Sequence, residues 1–266
     1  MKPFSIQGLA SEQVGDMLTV MSGYHGFEAA WHDLFWEAEE VPGEEVLLEE
    51  FLSGVDGTVL YVGSGSGRLL GPLVEVGHDV VGLELSPEMA ALSRERFPEA
   101  RVIEEAWQDH EPNDRYDAIV IPAFTFQLFE DPQRQLKRLR EQTDRLYLTL
   151  FFPWAELSGD LPSGQWYFDR EIELPDGSTG LLETRHRIRE QGGSLIRRHR
   201  YSLKDASGKL LQQEETEQRL RFFTDRSLKK LLASAGWTVE REINNLGEDD
   251  EDDLIYVATL WLRGGD

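Results

Sequence analysis

The sequence predicts an α/β fold in which a mostly parallel sheet is covered by helices on both faces, with an antiparallel β unit inserted late in the chain. Three observations carry this. From residue 57 to 152, short runs rich in Val, Ile and Leu alternate with stretches of helical periodicity, the pattern of strands buried on both faces and joined by crossover helices. The first of those runs enters a turn with glycine at alternate positions, Gly63, Gly65 and Gly67. From residue 160 to 222 the period changes to two, and turn dipeptides such as Gly192-Gly193 and Ser207-Gly208 separate the runs.

Residues 1–55 are read as helical, because Phe27, Ala30, Trp31, Leu34 and Phe35 recur at helical spacing; Trp31 and Phe35 are expected to pack on the main domain. Val59-Leu60-Tyr61-Val62 then reads as a strand leading into the glycine turn. Glycine there lets the backbone bend sharply and lets a ligand lie against the main chain, where any Cβ would intrude. The N–H groups of the following helix are expected to point at the same spot and to favour negative charge. A second buried strand, His78-Asp79-Val80-Val81-Gly82-Leu83-Glu84, ends in a carboxylate 21 positions after Gly63. An acid at that strand tip can accept both hydroxyls of a ribose, the recognition a nucleoside-containing cofactor requires. Ser86-Pro87-Glu88 opens the next helix with a capping hydroxyl, a proline at the first helical position and an acid in the first turn.

A nicotinamide cofactor calls for a third glycine where this chain has Arg68. The G-x-G-x-G form, with Val81-Gly82-Leu83-Glu84-Leu85-Ser86-Pro87-Glu88-Met89 and then Val102-Ile103-Glu104-Glu105-Ala106-Trp107, resembles class I S-adenosylmethionine-dependent methyltransferases over residues 25–262. The resemblance implies a seven-stranded Rossmann-like sheet and S-adenosyl-L-methionine as cofactor. It places Gly63, Ser64, Gly65 and Gly67 against the cofactor, Glu84 on its ribose, and Leu85 and Met89 beside its adenine. Glu105 would meet the adenine amino group with Ala106 next to it, and Ile121 would end a fourth strand facing the reactive methyl. It also implies that the N-terminal segment lies over the cofactor, which makes Tyr24, His25 and His32 candidate substrate contacts. Two features depart from the family: its common Pro-Gly-Gly turn before the fifth strand is replaced by Glu141-Gln142-Thr143-Asp144-Arg145, and its common first-strand acid is Tyr61.

Further along, Arg115-Tyr116-Asp117-Ala118-Ile119-Val120-Ile121 resembles the family's fourth strand, and the loop Pro122–Phe129 follows where a substrate-facing loop belongs. Open α/β sheets bind ligands beyond the carboxyl ends of their strands, so Phe124 and Gln127 are candidate substrate residues, with Phe126 and Phe129 assigned to the core. A helix from Pro132 precedes a fifth strand, Leu146–Phe152. In the β insert, arginines at 185, 187, 189, 197, 198 and 200 alternate along two strands and give one face a basic stripe. Two readings stand: pairing with Glu183, Glu190, Glu214 and Glu215, or an anion site for a substrate carboxylate or phosphate built on Arg198 and Arg200. Such an insert is similar to that of small-molecule N-methyltransferases, including the group that dimethylates amino sugars. Phe223–Trp237 has a capped start and a glycine stop, as in the family's last helix, and Val239–Ile243 with Leu254–Trp261 forms a closing hairpin. Glu248–Asp253 between them reads as a solvated acidic loop matching no calcium spacing. The domain division expected is a helical lid over 1–55, a cofactor-binding core over 56–153 and 223–266, and an antiparallel insert over 154–222.

Composition bounds the partners. A net charge of −23 over 266 residues argues against binding a nucleic-acid backbone or an anionic membrane. No run approaches a membrane span and the N-terminus lacks the apolar core of a secretion signal, so a cytoplasmic location is expected. With no cysteine there is neither a thiolate metal site nor a cysteine nucleophile, and no metal is expected. The expected activity is methyl transfer to a small molecule, an amine nitrogen leading over oxygen or sulfur acceptors, with no residue assigned as a catalytic base. A homodimer is left open. The rival classes are a nicotinamide-dependent oxidoreductase, which Arg68 disfavours, and a non-catalytic relative acting as an interaction module, which Tyr61 and the missing Pro-Gly-Gly permit.

Overall fold

The structure is a computed structural model that describes residues 24–37, 43–111, 114–189, 193–245 and 256–265; the acidic run Glu248–Asp253 lies outside them. A seven-stranded sheet has the order β10-β11-β5-β4-β1-β2-β3, where β1 is Val59–Val62, β2 Val80–Glu84, β3 Arg101–Glu104, β4 Ala118–Ile121, β5 Arg145–Phe151, β10 Trp237–Asn244 and β11 Val257–Gly264. Strands β1 to β5 run parallel, and β11 and β10 complete the edge in antiparallel register. The predicted fold is the one observed. The chain winds outward from β1 to β3 and then returns to β4, so the order reverses between β1 and β4. The crevice beyond their carboxyl ends is where such sheets hold ligands.

Alternation along β1 divides the core. Leu60 and Val62 face one layer with Ile119, Ile121 and Phe126, together with Leu136 and Leu139 of α5 (Pro132–Gln142) and Leu228 and Leu232 of α7 (Asp225–Ser234). Val59 and Tyr61 face the other, with Leu48 and Phe51 of α2 (Glu44–Leu52) and Leu70 and Leu73 of α3 (Leu70–Glu75). Tyr61, the departure at the family's acidic position, is thereby a core residue, 3% exposed. Within that second layer Gly71 admits the ring of Phe97: a Cβ there would stand 2.2 Å from Phe97 Cε1. Gly71→Ala is therefore expected to cost about 1–3 kcal/mol, read as a lowered urea midpoint.

The second sheet is antiparallel in the order β6-β7-β8-β9, with β6 Tyr167–Glu173, β7 Thr179–Arg189, β8 Ser194–Lys204 and β9 Leu210–Arg221. It enters after α6 (Trp154–Ser158) and leaves at Thr224, whose side chain accepts from Ser227 N–H to cap α7. Between the two sheets lies α1 (Gly26–Glu37). Its Phe27, Trp31 and Phe35 pack on Ile172, Leu174, Leu182 and Tyr201, which is the packing expected of Trp31 and Phe35, though on the insert rather than on the parallel sheet. Gly180 leaves the room, since a Cβ there would come within 3.3 Å of Trp31 Cζ3. Among the described residues no helix is long and apolar enough to cross a membrane.

Candidate functional site

The turn after β1 needs its glycines: Gly63, Gly65 and Gly67 all have positive φ (73°, 57° and 85°), where a side chain is strained. A Cβ on Gly63 would meet Thr125, and one on Gly67 would meet Ser93 and Phe97. The N–H groups of Gly63 and Ser64 both donate to Leu83 O, and Gly67 N–H donates to Ser64 O. Gly65 N–H donates to Glu84 Oε2 at 2.8 Å, and Ser86 N–H donates to Glu84 Oε1 at 2.7 Å. The turn's own N–H groups are engaged inside the protein, and α3 begins only at Leu70. What the turn presents is a fixed carboxylate.

Glu84 is 7% exposed, and burial raises its pKa against the pull of those two N–H donors. Each of its oxygens holds one backbone donor and keeps a lone pair for a second, so the pair can accept two adjacent hydroxyls. Beside it Leu85 is an exposed apolar residue, and Met89 is buried with its Cε 3.4 Å from where a Gly65 Cβ would be. Ser64 contributes backbone only: its hydroxyl is buried without a partner among the described residues and points at Gly82, whose Cβ would lie 2.7 Å from it. Glu105 donates its N–H to Glu84 O, while its carboxylate is turned to His110 Nδ1 at 2.7 Å, with His110 Nε2 2.8 Å from Tyr116 Oη. Ala106 and Ile121 are buried, the latter ending β4.

Beyond β4 the chain does something costly. Ala123 and Phe124 are consecutive non-glycine residues with positive φ (49° and 65°), a conformation that costs on the order of 1–3 kcal/mol per residue and that surrounding contacts must hold. Glu44 of α2 helps hold it, accepting from Ala123 N–H at 3.4 Å and from the Thr149 hydroxyl; its own burial raises its pKa. The turn presents the Phe124 ring 5.7 Å from that of Phe151. Gln127, in a 3₁₀ turn over Thr125–Leu128, is 1% exposed and engaged internally. Its Nε2 donates to Phe151 O (3.0 Å) and Arg221 O (2.7 Å), and its Oε1 accepts from Phe151 N–H (2.6 Å). Both side-chain donors are used, so the structure makes it a clamp between the turn, β5 and β9 rather than the substrate contact expected. Gln127→Ala should cost about 3 kcal/mol in urea unfolding, because it strands three backbone groups.

One helix covers the Glu84 corner. Tyr24 O accepts from the Ser86 hydroxyl, Gly26 N–H donates to Glu88 Oε2 (2.8 Å), and Asp33 accepts from the Ser66 hydroxyl (2.7 Å) and pairs with Arg96. His32 sits against Asp33 (2.9 Å), its ring 5.3 Å from Tyr24 and its pKa lowered to about 4 by burial and the nearby Arg68. His25 precedes the helix, and its carbonyl accepts from Ala29 N–H (3.4 Å).

The insert sorts its charges by face. Register pairs Arg185 with Arg198 and Glu183 with Arg200, all on the side away from α1. There Arg198 donates to Glu217 (2.8 Å) and Arg200 to Glu215 (2.9 Å), and Arg185 and Arg200 stand over Trp166 at 4.9 and 3.9 Å. The anion site on Arg198 and Arg200 is therefore corrected: both are paired and face away from α1. Of the predicted partners Glu183 and Glu215 serve, while Glu214 turns inward to accept from Phe27 N–H (2.8 Å). The inward face carries Arg197, which the sequence reading grouped with the basic stripe, and two residues not singled out from sequence, His199 and Gln218. Arg197 pairs with Glu156 and lies 4.6 Å over Phe151. His199 is 3.0 Å from Thr184 Oγ1, which donates to Asp169 (2.6 Å); burial lowers the pKa of His199 to about 4. Gln218 Nε2 donates to both Tyr24 Oη (3.1 Å) and Glu28 (3.3 Å). The signal available was parity alone: 197, 199 and 201 are odd, 198 and 200 even.

Comparison with known proteins agrees with this geometry. Residues 59–144 match the family described as methyltransferase domain. An uncharacterized methyltransferase of Bacillus cytotoxicus is 34% identical over 95 residues, 34% of this chain and 45% of that relative, so the match spans less than half its length. An S-adenosylmethionine-dependent methyltransferase from Clostridium acetobutylicum superposes with a TM-score of 0.72 at 12% identity, covering 90% of this chain and 98% of that one. The sugar N-methyltransferase KedS8 from Streptoalloteichus gives 0.69 at 19% identity, covering 97% and 100%. Residues 59–144, which hold the glycine turn and the Glu84 carboxylate, are thus similar to a methyltransferase domain, and the fold as a whole is similar to that of S-adenosylmethionine-dependent methyltransferases.

Proposed function

We propose that the protein methylates a nitrogen of a small, hydroxyl-bearing molecule. The observation that carries the reading is the polar inward face of the antiparallel sheet. It sets Arg197, His199 and Gln218 opposite α1 while that same helix is hydrogen-bonded to the Glu84 corner. A macromolecular acceptor would need an open shelf, whereas a polar wall covered by a helix suits a compact polar molecule. The architecture shared with a sugar N-methyltransferase supports nitrogen over oxygen or sulfur. We keep the division into a helical cover over 1–55, a core over 56–153 and 223–266, and an insert over 154–222.

S-adenosylmethionine supplies, when bound, an electrophilic methyl on a sulfonium. The chain's part is to hold and to exclude. Glu84 takes the ribose hydroxyls; Gly65, where a Cβ would meet only the end of Met89, lets the ligand approach the backbone, while Gly63 and Gly67 admit Thr125, Ser93 and Phe97 and so shape the turn; Leu85 and Met89 offer the adenine an apolar flank. Ile121 ends the strand nearest the switch point, and Tyr24, His32 and the strained Phe124 turn bound the acceptor side. Alignment of two bound partners supplies most of such a displacement, and excluding water helps. The test is calorimetric titration with S-adenosylmethionine and, separately, NAD. Micromolar binding of the first alone, followed by methylation of members of an amino-sugar and polyamine panel, is the expected result; no binding of either moves the protein to the non-catalytic class.

A further inference from the structure

On the inner side of α1, Glu28 is 4% exposed, and its carboxylate accepts from one neutral group, Gln218 Nε2 at 3.3 Å. Tyr24, one turn before it, takes the other Gln218 hydrogen. The remaining groups around it are known by name. Just before α1 comes Tyr24, and on α1, one turn past Glu28, His32; from β8 come Tyr201, His199 and Arg197; from β9, Glu214; from β6, Asp169 and Arg170. The cations among them are engaged elsewhere: Arg197 with Glu156, Arg170 with Asp169. Among the described residues no Lys, Arg or His forms an ion pair with Glu28.

A buried carboxylate without a counter-charge is expensive when ionised, and burial accordingly raises its pKa to about 7. Ionising such a group in a closed core costs stability unless something else compensates it. Its position suggests what offsets the cost. Tyr24 holds Ser86 beside Glu84, and Gln218 pairs in register with Arg197, whose guanidinium covers Phe151 next to Phe124. Glu28 is thus tied on one side to the cofactor corner and on the other to the strained turn beyond β4.

We propose that Glu28 meets the substrate's ammonium and takes its proton; the assignment rests on the nitrogen-acceptor reading above. An amine arrives at neutral pH as R–NH3+, which has no lone pair to offer. Transfer of one proton to the Glu28 carboxylate gives R–NH2 and a neutral carboxylic acid, the form its surroundings favour. The nitrogen lone pair then forms the N–CH3 bond as the C–S bond breaks and its electron pair stays on sulfur. The product leaves as R–NH2+–CH3, and Glu28 returns its proton to water. The ligand class is a protonated primary or secondary amine carrying hydroxyls for the Gln218, His199 and Thr184 side.

Wild type and Glu28→Gln decide it by three measurements. Without ligand, Glu28→Gln should melt above wild type at pH 8 but not at pH 5. The carboxyl's folded pKa lies above its ordinary value, so wild type loses stability as pH rises from about 4.5 to about 7. Equal melting differences at both pH values would overturn the uncompensated burial. In protein loaded with S-adenosylhomocysteine, which has no methyl to give, amino sugars beginning with glucosamine hydrochloride should bind wild type at least thirtyfold more tightly than Glu28→Gln. In turnover, wild-type kcat/KM should rise with pH through about 7, and that limb should be missing in Glu28→Gln. Amines bound and methylated alike by both proteins would overturn Glu28 alone. A wild type that binds S-adenosylmethionine yet neither binds nor methylates any amine overturns the nitrogen reading, and this assignment with it.

Discussion

Glu84→Ala is expected to abolish S-adenosylmethionine binding, with an affinity loss of about 4 kcal/mol, near a thousandfold. Two charge-assisted hydrogen bonds to ribose hydroxyls would be lost, each worth about 1.5–3 kcal/mol. The loss is compounded because the same carboxylate fixes the turn, accepting from Gly65 N–H and Ser86 N–H at 2.8 and 2.7 Å. Glu84→Gln separates the two roles: its amide oxygen keeps one acceptor but its NH2 faces a donor, so intermediate affinity is expected. Calorimetry of the three proteins checks this. Unchanged affinity in Glu84→Ala would remove the ribose from this strand tip.

The second large effect is on stability. Arg197→Ala is expected to destabilise the fold by about 3–5 kcal/mol, because the side chain of Glu156 is 2% exposed and would be left as a buried charge without its partner. The guanidinium also covers the Phe151 ring, so packing is lost with the charge. Replacing both partners, Arg197→Met with Glu156→Leu, should recover most of the loss, since an apolar pair of similar volume needs no desolvation of ions. Chemical unfolding of the single and double variants closes a double-mutant cycle; additivity would show that the pair is not coupled.

What the sequence made legible was local. A glycine turn, the acid at the next strand tip and a capped proline helix start each lie within a few residues, and their backbone requirements are written in residue types. The seven-stranded, mostly parallel sheet followed from the family resemblance that those motifs carry. What escaped depended on which side of a strand a residue occupies in a sheet whose register only pairing reveals. Of the two readings of Arg198 and Arg200, ion pairing and an anion site, alternation selects the first: it sends them outward to Glu217 and Glu215 while Arg197 turns in. Gln127 sat in the right loop, but its amide is engaged by Phe151 and Arg221, and Arg221 is 94 positions away. Glu28 gave no signal at all, since one acid among 50 Asp and Glu acquires meaning only through its burial.

The position of α1 has a thermodynamic consequence. Its first residues and Asp33 are hydrogen-bonded to the β1 and β2 loops and to α4 (Pro87–Arg96), while Phe27, Trp31 and Phe35 are packed on the antiparallel sheet. Any ligand that fastens the helix to one wall raises its occupancy against the other. If the cofactor sits at the Glu84 corner and the acceptor against the antiparallel sheet, as proposed, the two half-sites share one free-energy term, and whatever factor the acceptor adds to cofactor affinity, the cofactor must return to the acceptor.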